Sequence, residues 1–225
     1  MKPYLQITRS GMAVVGSRAQ REMLRRFFEK RRWVRLPSLL EPGLLRWVRE
    51  TARGARFTAD LHVDSKKHYK IALEDRMARN AALIALQFLA NTSYFFEEIR
   101  TITGCGKIGT FNGRVYRMSA ERGHYDSWHD DIREDQGRMV AMSVNLSARR
   151  YRGGALQIRC RKSQKIIAEI ENPRAGDAVL FRLSDDLEHR LTPMRGGAPR
   201  TAFAGWFQKH PSFVARLRRR KAARR

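Results

Sequence analysis

DAVLFRLSDDLEHRLTPMRGGAPRTAFAGWFQ, residues 177–208, reads as three short strands in succession, DAVLFRL, HRLTPM and RTAFAGWFQ. Each is rich in aliphatic, β-branched or aromatic residues, and the turn-prone MRGGAP separates the second from the third. Further back the same texture continues through IGTFNGRVYRM, RMVAMSVNLS, GALQIRC and QKIIAEIEN, broken by RRYRGG and NPRAGD. Seven or so short strands in a row predict an antiparallel sandwich or barrel.

Ahead of Lys107 the periodicity is helical. Ser17 is a candidate N-cap for an amphipathic segment with Met23, Leu24, Phe27 and Phe28 on one face and Arg and Lys on the others. Trp33–Leu36 alternates like a short strand, and Pro37 ends it. Pro42 opens a helix to about Arg53, 54–75 reads as a polar loop able to cover a site, and 77–89 reads as a buried helix. Asn91, Thr92 or Ser93 caps another helix to about Ile102, which Gly104 closes. The expected fold class is α+β: a helical N-terminal half, 17–104, supporting a jelly-roll core, about 107–208. Residues 1–210 are expected to form one domain, followed by a basic tail, 211–225.

Composition excludes little and suggests one thing. No apolar run approaches the ~20 residues of a membrane span, and MKPYLQITRSGMAVVGSR lacks a sustained apolar stretch, so a cytoplasmic location is expected. Cys105 and Cys160 imply no disulfide framework. The net charge of +24 favours anionic partners. The basic residues are mostly Arg, a skew that a GC-rich genome would produce without any such partner.

Chemistry concentrates in HYDSWHDD, residues 124–131. In an extended chain residues i and i+2 share a face, so His129 and Asp131 can present an imidazole and a carboxylate to one metal ion. His189, at the start of HRLTPM, offers a second imidazole. Two His and one carboxylate leave positions open on a metal, as in non-heme Fe(II) oxygenases. His124 and Asp126 form a second H-x-D in the same segment, less close to the strand that begins near Arg138. Arg200 lies across the MRGGAP turn from His189, where a hairpin would return it beside that strand, able to grip a carboxylate in two parallel hydrogen bonds.

The order H-x-D, SVNLS…YRGGALQIR, AGDAVLF and H-x10-R-T-x4-WF resembles the 2-oxoglutarate/Fe(II) dioxygenases of the prolyl 4-hydroxylase-like group, from about Trp33 to Phe207. The resemblance implies a double-stranded β-helix (jelly roll, cupin-like), with Fe(II) held by His129, Asp131 and His189. It implies 2-oxoglutarate as cosubstrate, gripped by Arg200 and touched by Tyr116, and O2 as oxidant, with succinate and CO2 released. An aromatic residue before the metal-binding His, here Trp128, favours 129/131 over 124/126. Retention of Asp131 argues against the related halogenases.

The substrate implied is a peptidyl residue or an amino-acid-like small molecule. The acidic run Asp126, Asp130, Asp131, Glu134 and Asp135, against Arg133 alone, suggests a cationic one. Two alternatives are a nucleic-acid-directed oxygenase and a non-catalytic metal-binding β-barrel serving as an interaction module. The first is disfavoured because demethylases of the wider superfamily carry an Arg where this chain has Trp206. The second is disfavoured by the intact ligand set. On this reading Trp206 and Phe207 are core residues and Arg138 is a strand-end charge.

Overall fold

The computed structural model describes residues 2–63, 70–132, 137–171 and 173–209; the expected basic tail, 211–225, lies outside them. The chain opens with a hairpin the sequence reading did not anticipate, β1 (Leu5–Thr8) and β2 (Gly11–Val14). Helix α1 (Arg18–Arg31) follows, with the Ser17 side chain accepting from the Gln20 amide and Arg32 closing it in a left-handed conformation. Its expected apolar face is only half used. Leu24 and Phe28 are buried, whereas Met23 and Phe27 stay exposed, Phe27 edge-on to Trp33 at 5.3 Å.

β3 (Trp33–Leu36) and α2 (Pro42–Arg53) lie where expected. The stretch 54–75 is not a loop: it contains β4 (Phe57–Val63) and the start of β5 (Lys70–Met77), paired antiparallel. The signal was there, since Phe57, Ala59, Leu61 and Val63 alternate with polar residues. Within this sheet β4 pairs with β5 alone, so Leu61 and Val63 remain exposed and the segment looks too polar to be core. Met77 therefore ends a strand, and α3 (Ala81–Leu89) starts later than expected, capped by Asn80. Thr92 caps α4 (Ser93–Thr103), and Gly104 ends it with φ +64°.

The remaining strands are β6 (Thr110–Met118), β7 (Tyr125–His129), β8 (Arg138–Asn145), β9 (Tyr151–Gly153), β10 (Leu156–Cys160), β11 (Ile166–Ile170), β12 (Ala178–Arg182), β13 (Leu187–Leu191), β14 (Met194–Gly197) and β15 (Arg200–Gln208). One antiparallel path runs β11-β10-β13-β7-β5-β6-β15-β8-β12-β3. β5 is the joint: Asp75 and Arg76 pair with β6, while Ala72 and Leu73 pair with β7. The sheet curls there into a jelly roll, and β9 and β14 form a separate small ribbon. Strands β3, β4 and β5 come from the half expected to be helical, so the sheet is larger than the predicted core.

The two faces of β6 and β15 have different jobs. Val115, Phe111, Phe203 and Phe207 face α1–α4, with Phe111 and Phe207 ring centroids 4.7 Å apart and Phe95 of α4 5.7 Å from Phe207. Each such phenyl stabilises by about 1.5–3 kcal/mol through burial. Tyr116, Met118 and Ala202 face inward, against Leu156, Ile158 and Leu191 of the other wall. The AGD turn has its own function. The buried Asp177 carboxylate accepts from Arg35 Nε at 2.7 Å and from the Ser38 amide at 2.7 Å, pinning β12 to the chain end of β3. Among the described residues no helix is long and apolar enough to cross a membrane.

Gly205 lies where β15 presses on β6, and a Cβ there would collide with the Asn112 carbonyl. Gly205→Ala should therefore destabilise by at least about 1–3 kcal/mol. Gly54, with nothing within 4 Å of a built Cβ and no positive φ, should tolerate Ala at no cost or gain about 0.4–1 kcal/mol. Denaturant unfolding of both variants checks the contrast.

Candidate functional site

β7 and β13 are antiparallel neighbours whose register pairs His129 with His189. Directly opposed residues point to the same side of a sheet, and the two imidazole centroids are 4.3 Å apart. Asp131 reaches them differently from the way the sequence suggested. β7 ends at His129, and Asp131 adopts φ +58°, a left-handed conformation that Asp tolerates better than most residues. Its Oδ2 lies 3.6 Å from His129 Nε2 and 3.3 Å from His189 Nε2. One donor atom from each residue falls within 4.8 Å of the others. His129 Nδ1 is 2.7 Å from the Ser127 carbonyl, an arrangement that spends the Nδ1 proton there and turns the Nε2 lone pair toward Asp131 and His189. Two nitrogens and one carboxylate oxygen are a donor set that suits a divalent transition metal, so the residues present fit one.

Electrostatics agree with that use. Burial pulls the His129 imidazole down, but the Asp126 and Asp131 carboxylates outweigh it and push it up to about 10. Burial raises the Asp131 carboxyl, yet His129 and His189 hold it well below the usual carboxylate range. A cation placed among the three would take over what the imidazole proton does in its absence.

A cavity extends from these three residues to Arg200, with Leu156, Ile170, Val179, Phe181 and Leu191 as apolar walls. Arg200 is buried, and among the described residues its partners are hydroxyls rather than carboxylates. Nη1 donates to Tyr116 Oη and Nη2 to Ser143 Oγ at 3.1 Å, with Tyr151 also in reach. Burial keeps the Tyr116 phenol protonated despite the opposing pull of Arg200, so its own O–H can still donate. Arg200 and Tyr116 line the same cavity as His129, Asp131 and His189, but Arg200 does not return beside the His189 strand as a hairpin would have it: β15 pairs with β6 and β8, whereas β13 pairs with β10 and β7.

Other expectations change. Trp206 is no mere core residue: its Nε1 donates to Asp131 Oδ2 at 2.7 Å. Arg138 is no surface charge: its Nη1 lies 3.1 Å from the Asp131 carbonyl and 3.3 Å from Oδ1, and its guanidinium stacks on Trp206 at 3.6 Å. Counting in twos from Arg200 along the strand would have found Trp206 on the same face. The second H-x-D does not compete. His124 is buried, accepts from the Ser119 amide and lies 3.5 Å from Asp75, while Asp126 backs His129 at 3.2 Å.

The acidic mouth also dissolves in part. Asp126 is engaged with His129, Asp130 pairs with Arg161, and residues 133–136, which include Glu134 and Asp135, lie outside the described residues. A second opening beside the His129–Asp131–His189 cluster is bounded by His62, Val63, Ile71 and Ala72 of the β4–β5 hairpin. Asp60, His62 and Glu74 cluster there too, but Arg114 forks onto Glu74 at 2.5 and 3.2 Å and Arg76 pairs with Asp60 at 3.3 Å, so the carboxylates already have cations.

Comparison with known proteins sets this geometry in context. Residues 113–208 match the model of the 2OG-Fe(II) oxygenase superfamily. No curated protein matches the chain in sequence. Among solved structures it is similar to a prolyl-4-hydroxylase from Pseudomonas putida (20% identity, TM-score 0.61, covering 85% of this chain and 100% of that one). It is similar to a 2OG-Fe(II) oxygenase family oxidoreductase from Burkholderia pseudomallei (11%, 0.65, 92% and 97%). A prolyl hydroxylase from Trichoplax adhaerens, solved with a peptide fragment of a hypoxia inducible factor oxygen degradation domain, is a further neighbour (14%, 0.59, 86% and 94%). At these identities the structural likeness carries the fold.

Two measurements probe the site directly. Trp206→Phe removes the N–H aimed at Asp131 while keeping an aromatic face for Arg138, so divalent metal affinity should drop about 10–100-fold in a competition titration, with secondary structure unchanged. The second uses metal-free protein. His129 titrates near 10 when folded against roughly 6.5 unfolded. Its contribution to stability is complete below about pH 6.5 and is lost as pH rises through 10. The thermal midpoint gap between wild type and His129→Ala should shrink steadily over that window; a gap that widens with pH would contradict the assignment.

Proposed function

We propose that this chain, a 2-oxoglutarate/Fe(II) oxygenase of the prolyl 4-hydroxylase-like kind, hydroxylates a C–H bond of a peptidyl residue or amino-acid-like molecule. On this reading His129, Asp131 and His189 hold the iron, and residues 1–210 act as one domain, since β3, β4 and β5 are hydrogen-bonded into the sheet that carries the site. The metal, when bound, supplies the activation of O2 that couples oxidation of the substrate to conversion of 2-oxoglutarate into succinate and CO2.

The observation that carries the reading is Arg200. A buried guanidinium paired with neutral hydroxyls alone is costly, because a buried charge needs a counter-charge to offset its desolvation. A ligand carboxylate seated against it would supply that charge in a planar two-bond contact. The Tyr116 hydroxyl accepts from Arg200, which leaves its own O–H for the same ligand, and Ser143 and Tyr151 fix the guanidinium's orientation. Apolar walls, Leu156, Ile170, Val179, Phe181 and Leu191, line the cavity between this anchor and the metal-binding cluster. Asp131 is steadied by Trp206 and Arg138, so the open side of the cluster is set by the protein before any ligand arrives.

Substrate access fits the second opening, between the cluster and the β4–β5 hairpin. A peptide is favoured because a neighbour of the same fold was solved with a peptide bound. The inventory of that opening includes His62, Glu74 and Arg114 beside Val63 and Ile71, polar and apolar groups at the spacing of adjacent strand residues.

The test is 2-oxoglutarate turnover. With Fe(II) present the protein should release succinate, and a proline-containing peptide library should contain members that stimulate release. His189→Ala and Asp131→Asn should abolish it. Arg200→Gln should raise KM for 2-oxoglutarate by at least about 30-fold, the low end of a 2–5 kcal/mol buried charge contact, while metal affinity stays near wild type. An unchanged KM in Arg200→Gln would remove the anchor and with it the reading.

A further inference from the structure

The face of β6 and β15 turned away from the cavity carries a basic groove that the oxygenase chemistry leaves unused. Pleating sends neighbours to opposite faces. Tyr116 and Arg200 point into the cavity, so Arg117 and Thr201, paired in register across the two strands, point to the helix side. There α2 lies alongside, and Arg46, Arg49 and Arg53 line the groove with Arg117.

The four guanidiniums are placed differently. Arg49 is a structural clip, donating through Nε to the Leu146 carbonyl at 3.0 Å and through Nη2 to the Ser147 carbonyl. Arg117 is stacked on Phe57 at 4.0 Å, which fixes its plane and leaves its N–H edge available. Arg46 and Arg53 are exposed. Among the described residues none of Arg46, Arg53 and Arg117 forms an ion pair, although this protein pairs many other arginines with carboxylates. Among the described residues Glu50 is the one acidic residue lining the groove, and Arg149 and Arg150, both exposed, follow Ala148 in the chain.

We propose that this groove binds the phosphodiester backbone of a nucleic acid. Three features favour that partner over an acidic protein. The cations are guanidiniums, which match phosphate oxygens in two-bond contacts. They form a row: positions 46 to 53 span about 10 Å of helix axis at ~1.5 Å per residue, the rise of about three phosphates of one strand at ~3.4 Å each. The chain around them carries a net charge of +24, a long-range field that gathers polyanions. Because the groove and the cavity use opposite faces of the same strands, binding would tether the enzyme without occluding the cavity. The inference does not rest on the oxygenase reading.

The experiment measures binding of the full chain to a fluorescein-labelled mixed-sequence duplex by anisotropy over a range of salt. The variant is Arg46→Gln/Arg53→Gln/Arg117→Gln. The control removes equal charge from α1, as Arg18→Gln/Arg25→Gln/Arg31→Gln. Circular dichroism and succinate release should match wild type in both, since none of the six residues touches the cavity. The groove variant should bind at least tenfold more weakly, with the slope of log K against log salt reduced by about 2.7, at ~0.9 per phosphate contact. The control should lose far less. Equal losses in both variants would mean diffuse attraction and overturn the groove. Tighter binding of polyglutamate or of anionic vesicles than of the duplex, at matched charge, would overturn the nucleic acid in favour of an acidic protein or a membrane surface. Failure of wild type to bind the duplex would end the proposal outright, and would leave the catalytic reading untouched.

Discussion

A carboxylate held beyond the end of its strand is the constraint on which the site depends. Asp131 cannot meet His129 and His189 by pleat alone, because β7 stops at His129. It turns back through a left-handed backbone, a conformation that costs on the order of 1–3 kcal/mol and persists only when the surroundings hold it. Those surroundings come from elsewhere in the chain: Trp206 from β15 and Arg138 from β8 both bind the Asp131 side chain, and they stack on each other. The donor cluster therefore exists only when β7, β8, β13 and β15 are all in place. Local sequence near residue 131 proposes the ligand; tertiary closure positions it.

The other end of the cavity obeys a complementary logic. Arg200 brings a buried positive charge with hydroxyl partners, while Asp126 and Asp131 bring negative charge to the opposite end. A ligand carboxylate is attracted at the first end, whereas at the second the negative charge is already balanced by the His129 imidazolium and Arg138, so a second carboxylate gains there only where a divalent cation replaces the imidazole proton. The cavity thus distinguishes its ligands by charge order, and the apolar walls sharpen that discrimination by lowering the local dielectric.

Much of this was legible in the chain. The strand run from Lys107 onward and the helix caps at Ser17, Thr92 and Gly104 follow from period and turn chemistry. His129, Asp131 and His189, singled out by motif order, do come together, and Tyr116, named only through the family resemblance, lies against Arg200. What escaped has a common cause. The β4–β5 hairpin was hidden because an edge strand keeps Leu61 and Val63 in water, and its polar partners blur the alternation. Arg138 and Trp206 were read as surface and core because their roles depend on a residue in a third segment. Composition records a residue's type, whereas the contact that gives Trp206 its role is 75 positions away in the chain.

The same period-two rule that builds the site also limits how it can vary. In β6 and β15 adjacent residues serve different tasks: Tyr116 and Arg200 look into the cavity, while Arg117 and Thr201 look toward α2. A one-residue slip of β15 against β6 would turn Arg200 toward the helices and put Thr201 in its place in the cavity. Register must therefore be fixed by something stronger than side-chain preference. Gly113 and Gly205, paired in register, supply it: a Cβ at Gly205 would strike the β6 backbone at Asn112 and Gly113, and one at Gly113 would strike the Phe111 and Phe203 rings. Any other alignment of β6 with β15 would bring a Cβ into that contact. The tight glycine pair thus protects the direction in which Arg200 faces, although it lies several residues away along the strands.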